Sequence, residues 1–252
     1  MPEDNKPLAA RMRPERLEDF VGQAHIVGRD RLLYRAIRAD RLTSAIFFGP
    51  PGTGKTTLAQ IIAKETKGAF RQLNAVSAGV KDIRAVAEEA QNRLLNPSGR
   101  VVLFFDEVHR LNKGQQDTLL PYVENGVFIL IGATTENPYF EVNKALLSRS
   151  TLFRFEPLTD EDIRTILYRC INDQEHGFGN LPIEITKDAE AHLVDMSDGD
   201  ARVAMNGLEL AVLTTEPNED GIIHIDLDIA QESIQQKALR YDKNGDEHYD
   251  VI

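Results

Sequence analysis

Short apolar runs alternate with helix-like segments over the first 155 residues. Runs that predict strands lie at 45–48, 70–74, 101–105, 127–131 and 152–155. Apolar residues that recur every three or four positions predict helices over 30–39, over 57–64, from 80 to near Asn96-Pro97, and over 115–123 with an interruption at Pro121. The strands that are apolar throughout are typical of strands buried on both faces of a sheet. The alternation therefore predicts an α/β fold with a parallel five-stranded sheet.

The pattern changes beyond Pro157. The polar stretch 159–162 begins an apolar helical stripe, and Thr186 is a predicted cap of a second helix that runs through Met196. Two more helices are predicted over 201–213 and 228–236. We therefore expect an α/β domain at 1–157, a small all-helical domain at 158–236 and a polar tail at 237–252.

Charge is distributed unevenly along the chain. The net charge of −11 argues against a protein that coats DNA by bulk electrostatics. Residues 1–100, however, carry 17 Lys and Arg against 11 Asp and Glu, a net of +6, while residues 101–252 carry 12 against 29, a net of −17. A basic face that includes Arg31, Arg35 and Arg38 would suit phosphates, and an ordinary solvated surface is the alternative.

The cysteine content and the apolar runs indicate the cellular compartment. The single cysteine, Cys170, cannot form an internal disulfide, which fits a reducing compartment. The polar N-terminus has no secretory pattern, and the longest apolar runs are too short to span a bilayer. We expect a cytoplasmic protein without a membrane partner.

A glycine-rich stretch after the first predicted strand matches the phosphate-binding pattern G-x-x-x-x-G-K-[ST]. It reads Gly49-Pro50-Pro51-Gly52-Thr53-Gly54-Lys55-Thr56 and precedes a predicted helix. Backbone N–H groups of such a turn face phosphates, and the helix dipole favours their negative charge. Lys55 is therefore predicted to contact the β- and γ-phosphates of ATP, and Thr56 to ligate Mg²⁺. The other predicted nucleotide contacts in this stretch are Pro51, Gly52, Thr53, Gly54 and Thr57.

Polar side chains follow the third and fourth predicted strands. Asp106 and Glu107 come directly after a buried run, so both carboxylates are predicted at the carboxyl edge of the sheet, where open α/β sheets bind ligands. We expect Asp106 to hold Mg²⁺ and Glu107 to polarise the attacking water; an ordinary acid pair at a strand end is the alternative. Thr134 would hydrogen-bond the γ-phosphate or the water. His109 either senses the nucleotide or caps the turn.

The phosphate loop, Asp106-Glu107 and Thr134 resemble the AAA+ ATPases in their order and spacing. The later motifs Ser148-Arg149 and Gly199-Asp200-Ala201-Arg202 fit the same resemblance. By position the resemblance implies an AAA+ P-loop sheet with a helical lid. It implies that Thr134 is the first sensor, Arg149 an arginine finger for a neighbouring subunit and Arg202 the lid sensor. The clamp-loader and Holliday-junction-motor branch is most similar, because 8–14 and 20–23 resemble its adenine-side segment. Val21 and Gly22 are accordingly expected beside the base.

Longer motifs resemble the family of replication-associated recombination protein A, also called MgsA, with its Werner-helicase-interacting relatives. They lie at 8–14, 112–117, 132–138 and 238–243. The resemblance implies a DNA-dependent ATPase at forks, gaps, ends and single-strand/duplex junctions, nucleoid-associated, homo-oligomeric and partnered by single-strand DNA-binding protein. Members of the family continue into a C-terminal oligomerisation region. The tail at 237–252 is expected to lead into that region, and the oligomeric state of this chain stays open.

Two other classes of function remain alternatives. One is a nucleotide-gated scaffold or clamp-loader-like adaptor that recruits replication proteins with little turnover. Glu107 and Arg149 count against it, since a pure switch does not need either. The other is a small-molecule phosphotransferase, for which the lid sequence offers no identifiable acceptor pocket.

Overall fold

The computed structural model describes residues 6–92, 94 and 100–234. Its central sheet has five parallel strands in the order β2-β3-β4-β1-β5. The strands are β1 (Ala45–Phe48), β2 (Ala69–Asn74), β3 (Val101–Asp106), β4 (Ile129–Thr134) and β5 (Thr151–Arg154). The α/β fold with a parallel five-stranded sheet is thus confirmed.

Helices cover both faces of this sheet. The helices of the first half are α1 (Leu8–Arg11), α2 (Ala24–Val27), α3 (Leu32–Arg38), α4 (Lys55–Glu65), α5 (Val80–Gln91), α6 (Lys113–Glu124), α7 (Pro138–Glu141) and α8 (Lys144–Leu147), with 3₁₀ turns at Leu17–Asp19 and Val108–Arg110. Successive side chains of β3 point to opposite faces. Phe104 packs in the cluster that contains Leu58 of α4, and Phe105 packs in the cluster that contains Leu119 of α6. Burial on both faces explains why the strand is apolar throughout.

Helix α6 is continuous, so the predicted interruption at Pro121 is wrong. The helix begins with a capping box in which the Asn112 side chain accepts the Gln115 N–H and the Gln115 side chain accepts the Asn112 N–H. Pro121 removes one backbone donor, which leaves the carbonyl of Asp117, four residues earlier, without its helical partner. Both residues are exposed, so the helix carries this proline on its solvent side.

Several predicted boundaries differ from the structure, and the start of β4 and the end of α5 have identifiable causes. Strand β4 begins at Ile129 rather than at 127, because the Val127 N–H is already bound to the Tyr122 carbonyl in the turn after α6. Helix α5 ends at Gln91, because the Asn92 side chain accepts the Leu94 N–H and competes with the helical pattern. The predicted end near Asn96-Pro97 lies outside the described residues.

The second half is helical, with one addition that the sequence did not predict. The helices are α9 (Asp160–Asn172), α10 (Lys187–Ser197), α11 (Ala201–Thr214) and α12 (Leu227–Ser233). Helix α9 begins at the predicted place, where Thr159 is its N-cap, and Thr186 caps α10 as predicted. Strands β6 (Ile183–Ile185) and β7 (Ile223–Ile225) form a separate two-stranded parallel sheet, so this half is not all-helical. The predicted helix end at 236, the tail at 237–252 and the motif at 238–243 lie outside the described residues.

The N-terminal segment joins the two halves. Leu8 packs in the cluster of the helical half, and its N–H donates to Glu209 Oε1 at 2.8 Å. Cys170 is buried in the same cluster, where burial raises the pKa of its thiol to about 12. Within the described residues, no helix has the length and apolar character that would let it cross a membrane.

Candidate active site

The loop between β1 and α4 folds as a phosphate-binding turn. Gly52 and Gly54 have φ of +68° and +96°, a region that side chains rarely adopt. A Cβ on Gly52 would lie 1.7 Å from Asp200 Oδ1, and one on Gly54 would lie 2.6 Å from the Phe20 ring. Both glycines are therefore required by backbone conformation and by close approach. Helix α4 begins directly after the loop, so its free N–H groups lie at the cleft.

Lys55 lies over this loop. Its Nζ donates to the carbonyls of Gly49 and Pro50 at 2.8 and 2.6 Å. Burial lowers the pKa of Lys55 from its ordinary 10.5 to about 8; the charge of Arg202 acts in the same direction, and the Asp106 and Asp200 carboxylates oppose it. The ammonium group is thus a partly desolvated charge, which a bound phosphate would compensate.

The predicted acid pair lies at the carboxyl end of β3. Asp106 is close enough to interact electrostatically with both Lys55 and Arg202. Glu107 has φ of +52°, and its Oε2 lies 2.9 Å from the Nε of Arg110. The side chain that is predicted to polarise water is therefore held by an ion pair with Arg110.

Thr134 is the last residue of β4 and lies beside the phosphate loop. The Thr134 carbonyl accepts the Gly49 N–H at 3.1 Å, and only 2% of the surface of Thr134 is exposed. Its Oγ1 accepts the Glu136 N–H at 2.9 Å and lies 2.8 Å from Nδ1 of His109. Thr134 therefore contacts the phosphate loop through its carbonyl and the turn that carries His109 through its hydroxyl.

The start of α11 contacts the phosphate loop from the helical half. The Ala201 N–H donates to the Gly52 carbonyl at 3.3 Å. Asp200 binds the Arg202 guanidinium, with Oδ2 3.0 Å from Nη2, and this hydrogen bond raises the pKa of Arg202. Arg202 therefore enters the cleft with its charge partly balanced by Asp200.

Arg149 is the one predicted charged residue that does not reach its own chain's cleft. It lies just before β5, whose first residue Thr151 is paired with Ala45, the first residue of β1. The phosphate loop follows the opposite end of β1. The Arg149 guanidinium is bound to Glu124 at 2.6 Å and to the Ala145 carbonyl at 2.9 Å.

The two residues expected beside the adenine base, Val21 and Gly22, have different surroundings in the structure. Val21 lines the cleft, whereas a Cβ on Gly22 would lie 2.5 Å from Leu158, so Gly22 packs on the helical half. The Gln23 side chain fixes the segment, since it donates to the Glu156 carbonyl at 2.7 Å and accepts the Glu156 N–H at 3.0 Å. Gly22 thus acts through packing in this structure rather than as part of the cleft wall.

One cleft of about 1640 Å³ brings most of the predicted residues together. Those that line it are Val21, Pro51, Gly52, Thr53, Gly54, Lys55, Thr56, Thr57, Asp106, Glu107, Thr134 and Arg202. Asp106 and Thr56 offer the oxygen ligands that Mg²⁺ takes beside phosphates and water. In the described part of the chain, no three or more His, Cys, Asp or Glu side chains form a group that could hold a metal alone. The residues present fit a cation that arrives with a nucleotide.

Four partners of these residues were not predicted: Phe20, Asp200, Arg110 and Glu124. Phe20 and Glu124 are distant in sequence from Gly54 and Arg149, and only the folded chain brings them together. Arg110 lies three residues after Glu107, so its spacing was a usable signal for an ion pair. Asp200 begins α11, where an aspartate cap is common, and its side chain accepts the Arg202 N–H.

Family models match both halves of the chain. The P-loop domain of the Holliday junction DNA helicase RuvB matches residues 12–152, and an AAA C-terminal domain matches residues 179–252. The RuvB Holliday junction branch migration motor of Thermotoga maritima superposes with a TM-score of 0.70 at 27% identity, over 88% of this chain and 72% of that one.

Curated proteins are similar over nearly the whole chain. Replication-associated recombination protein A of Bacillus subtilis is 50% identical over 98% of this chain and 58% of its own length. The ATPase WRNIP1 of Dictyostelium discoideum is 40% identical over 98% of this chain and 30% of its own length. The chain thus spans little more than half the bacterial relative.

Proposed function

Because this chain belongs to the AAA+ ATPases of the replication-associated recombination protein A family, we propose that it binds ATP with Mg²⁺ and hydrolyses it under the control of DNA. The observation that carries this proposal is the convergence of Lys55, Asp106, Glu107 and Thr134 on one cleft at the carboxyl edge of the sheet. The reaction serves replication-fork maintenance, recombination and repair by remodelling DNA ends, gaps or forks.

Each residue has a distinct proposed role. Lys55 and the backbone N–H groups of the loop bind the β- and γ-phosphates, and Thr56 and Asp106 hold Mg²⁺. Glu107 polarises the attacking water, and Thr134 donates a hydrogen bond to the γ-phosphate or to that water. Arg202 adds positive charge from the lid. The division at Pro157 into a nucleotide-binding domain and a lid stays a prediction.

Arg149 completes the site of a neighbouring subunit in a homo-oligomer. Its position at the amino edge of the sheet, away from its own phosphate loop, supports a role in trans. An arginine finger stabilises charge in the transition state and contributes roughly 10³–10⁵ in rate where it acts. The ion pair with Glu124 must open before Arg149 can act in this way.

The proposed partner is DNA, bound at forks, ends and single-strand/duplex junctions, together with single-strand DNA-binding protein. Arg29, Arg31 and Arg35 form an exposed basic cluster beside and on α3. Arg38, also predicted in this role, is already paired with Glu18 and with Glu65. The basic cluster is therefore the better candidate for phosphate contacts.

A nucleotide-gated scaffold is the second candidate, and two ion pairs favour it. Glu107 is held by Arg110 and Arg149 by Glu124, so both residues that accelerate hydrolysis are engaged elsewhere. A chain that stays in this arrangement would bind ATP and release it with little turnover.

Steady-state ATP hydrolysis separates these functions. The assay uses the chain alone and with single strands, blunt duplexes and forked duplexes, and it includes the Glu107→Gln variant as a matched control. Stimulation by DNA that is lost in the variant supports the DNA-dependent ATPase. Slow turnover that is indifferent to DNA supports the scaffold, and a phosphorylated small-molecule acceptor supports a phosphotransferase.

A further inference from the structure

The hydrogen-bond count at Thr134 assigns a role to His109. A threonine hydroxyl has one hydrogen to donate and two lone pairs that accept. One lone pair of Thr134 Oγ1 already accepts the Glu136 N–H at 2.9 Å. Nδ1 of His109, at 2.8 Å, takes either the second lone pair or the only hydrogen.

The two arrangements have opposite consequences for catalysis. If Nδ1 of His109 carries a hydrogen, it donates to Oγ1, and the Thr134 hydrogen stays free for a ligand in the cleft. If Nδ1 is bare, it accepts the Thr134 hydrogen, and the hydroxyl has nothing left to donate to a γ-phosphate or to water. The protonation of one ring nitrogen therefore decides whether Thr134 is a donor.

The surroundings leave His109 as the group that orients this hydroxyl. The Thr134 backbone is fixed by its register opposite Phe48 of β1 and by the hydrogen bond from Gly49. The Glu136 N–H also holds Oγ1, so only the direction of the hydroxyl hydrogen remains to be set. His109 sets it from the 3₁₀ turn that begins directly after Glu107.

We propose that His109 is a positioning residue, which donates its Nδ1 hydrogen to Thr134 Oγ1 and so directs the Thr134 hydroxyl hydrogen into the nucleotide cleft. The inference rests on the proposed ATP hydrolysis and assigns one further residue to it. His109 touches neither nucleotide nor water in this role. It acts through Thr134.

Two substitutions at position 109 that are isosteric with each other test the direction of the hydrogen bond. In His109→Asn the amide nitrogen sits near the original Nδ1 and donates, so kcat for ATP should stay within about threefold of the unsubstituted chain. In His109→Asp the carboxylate only accepts and captures the Thr134 hydrogen. Since a hydrogen bond to a charged group contributes about 1.5–3 kcal/mol, kcat should fall about 10- to 100-fold below that of His109→Asn. Affinity for a non-hydrolysable ATP analogue should change by less than about threefold.

The same two substitutions, His109→Asn and His109→Asp, are then made in a chain that also carries Thr134→Val. This comparison separates the loss of the hydrogen bond from the effect of the added negative charge. If His109 acts through Thr134, the difference between Asn and Asp at position 109 disappears there. If the difference persists, it reflects the added negative charge, and the inference is overturned. It is also overturned if His109→Asn loses activity, or if the two variants turn over ATP equally in the parent chain. His224→Asn, on β7 of the helical half, is the control for a histidine outside the cleft, and melting temperatures verify folding.

Nuclear magnetic resonance gives a readout that needs no hydrolysis. The ¹⁵N signals of His109, assigned by their loss in His109→Asn, report which ring nitrogen carries hydrogen. Nδ1 should be protonated in the complex with the ATP analogue and Mg²⁺, at a pH where the ring is neutral. A bare Nδ1 refutes the inference even if the chain is an ATPase. Absence of turnover in the unsubstituted chain with every DNA would instead overturn the proposed function, and the tautomer would still decide the role of His109.

Discussion

Replacing Gly54 with alanine tests whether the phosphate loop depends on its contact with Phe20. The new Cβ would lie 2.6 Å from the Phe20 ring, whereas ordinary contacts are 3.4–4 Å, so the ring must move by about 1 Å. Gly54 also has φ of +96°, which adds strain of about 1–3 kcal/mol for any side chain. We expect Gly54→Ala to lower the free energy of unfolding by about 2–4 kcal/mol and to weaken ATP binding at least tenfold.

Gly126→Ala is the matched control for this substitution. Its φ is +63°, and nothing lies within 4 Å of its new Cβ, so it carries backbone strain without a clash. It should cost about 1–2 kcal/mol in stability and leave ATP affinity unchanged. Thermal or denaturant unfolding and fluorescence titration with a labelled ATP analogue provide both measurements.

The double variant Phe20→Ala/Gly54→Ala separates the clash from the strain. Removal of the ring relieves the overlap, so the double variant should bind ATP more tightly than the product of the two single effects predicts. If the two effects multiply, or if Gly126→Ala weakens ATP binding as much as Gly54→Ala does, the contact with Phe20 does not shape the loop.

Three further predictions concern charge. The pKa of Lys55 is near 8, so the ammonium form, which binds phosphate, is lost as the pH rises above this value. If bound phosphates restore the ordinary pKa of 10.5, ATP affinity should weaken about eightfold between pH 7.5 and pH 9. Calorimetry at pH 8 should then detect the uptake of about half a proton for each ATP bound. Lys55→Arg should show neither effect, and a flat profile in the unsubstituted chain would contradict the assignment. Reversal of the basic cluster to glutamate should weaken DNA binding and reduce its salt dependence while ATP binding survives; unchanged affinity and slope would mean that DNA is bound elsewhere. Arg149→Ala subunits should bind ATP but hydrolyse it poorly, and mixing them with Glu107→Gln subunits should restore some activity; mixed oligomers without restored turnover would show that Arg149 does not act in trans.

The sheet and the phosphate loop were predictable because their signals are local. The run 101–105 is short and rich in valine and phenylalanine, which favours a strand buried on both faces, and the loop pattern carries its own flanking strand and helix. The start of α9 and the capping threonine of α10 were predictable for the same reason. Asp106 and Glu107 followed from their place at a strand end.

The features that were not predicted depend on contacts between distant parts of the chain, which a local sequence pattern does not contain. Pro121 stays inside α6 on the exposed side of the helix, and this depends on which face of the helix packs. Strands β6 and β7 have only three residues each, too few for a periodic signal, and they exist because they pair with each other. Glu124 and Arg149 are 25 positions apart in sequence, and the fold brings them into contact.

The most direct test of the proposed site compares Lys55→Ala with Glu107→Gln in parallel assays of ATP binding and turnover. Lys55 contributes charge to the bound phosphates, and Glu107 acts mainly on the attacking water. We therefore predict that Lys55→Ala loses affinity for ATP, and that Glu107→Gln binds ATP as the unsubstituted chain does but hydrolyses it very slowly. Equal loss of affinity in both variants, or unchanged turnover in Glu107→Gln, would contradict the account.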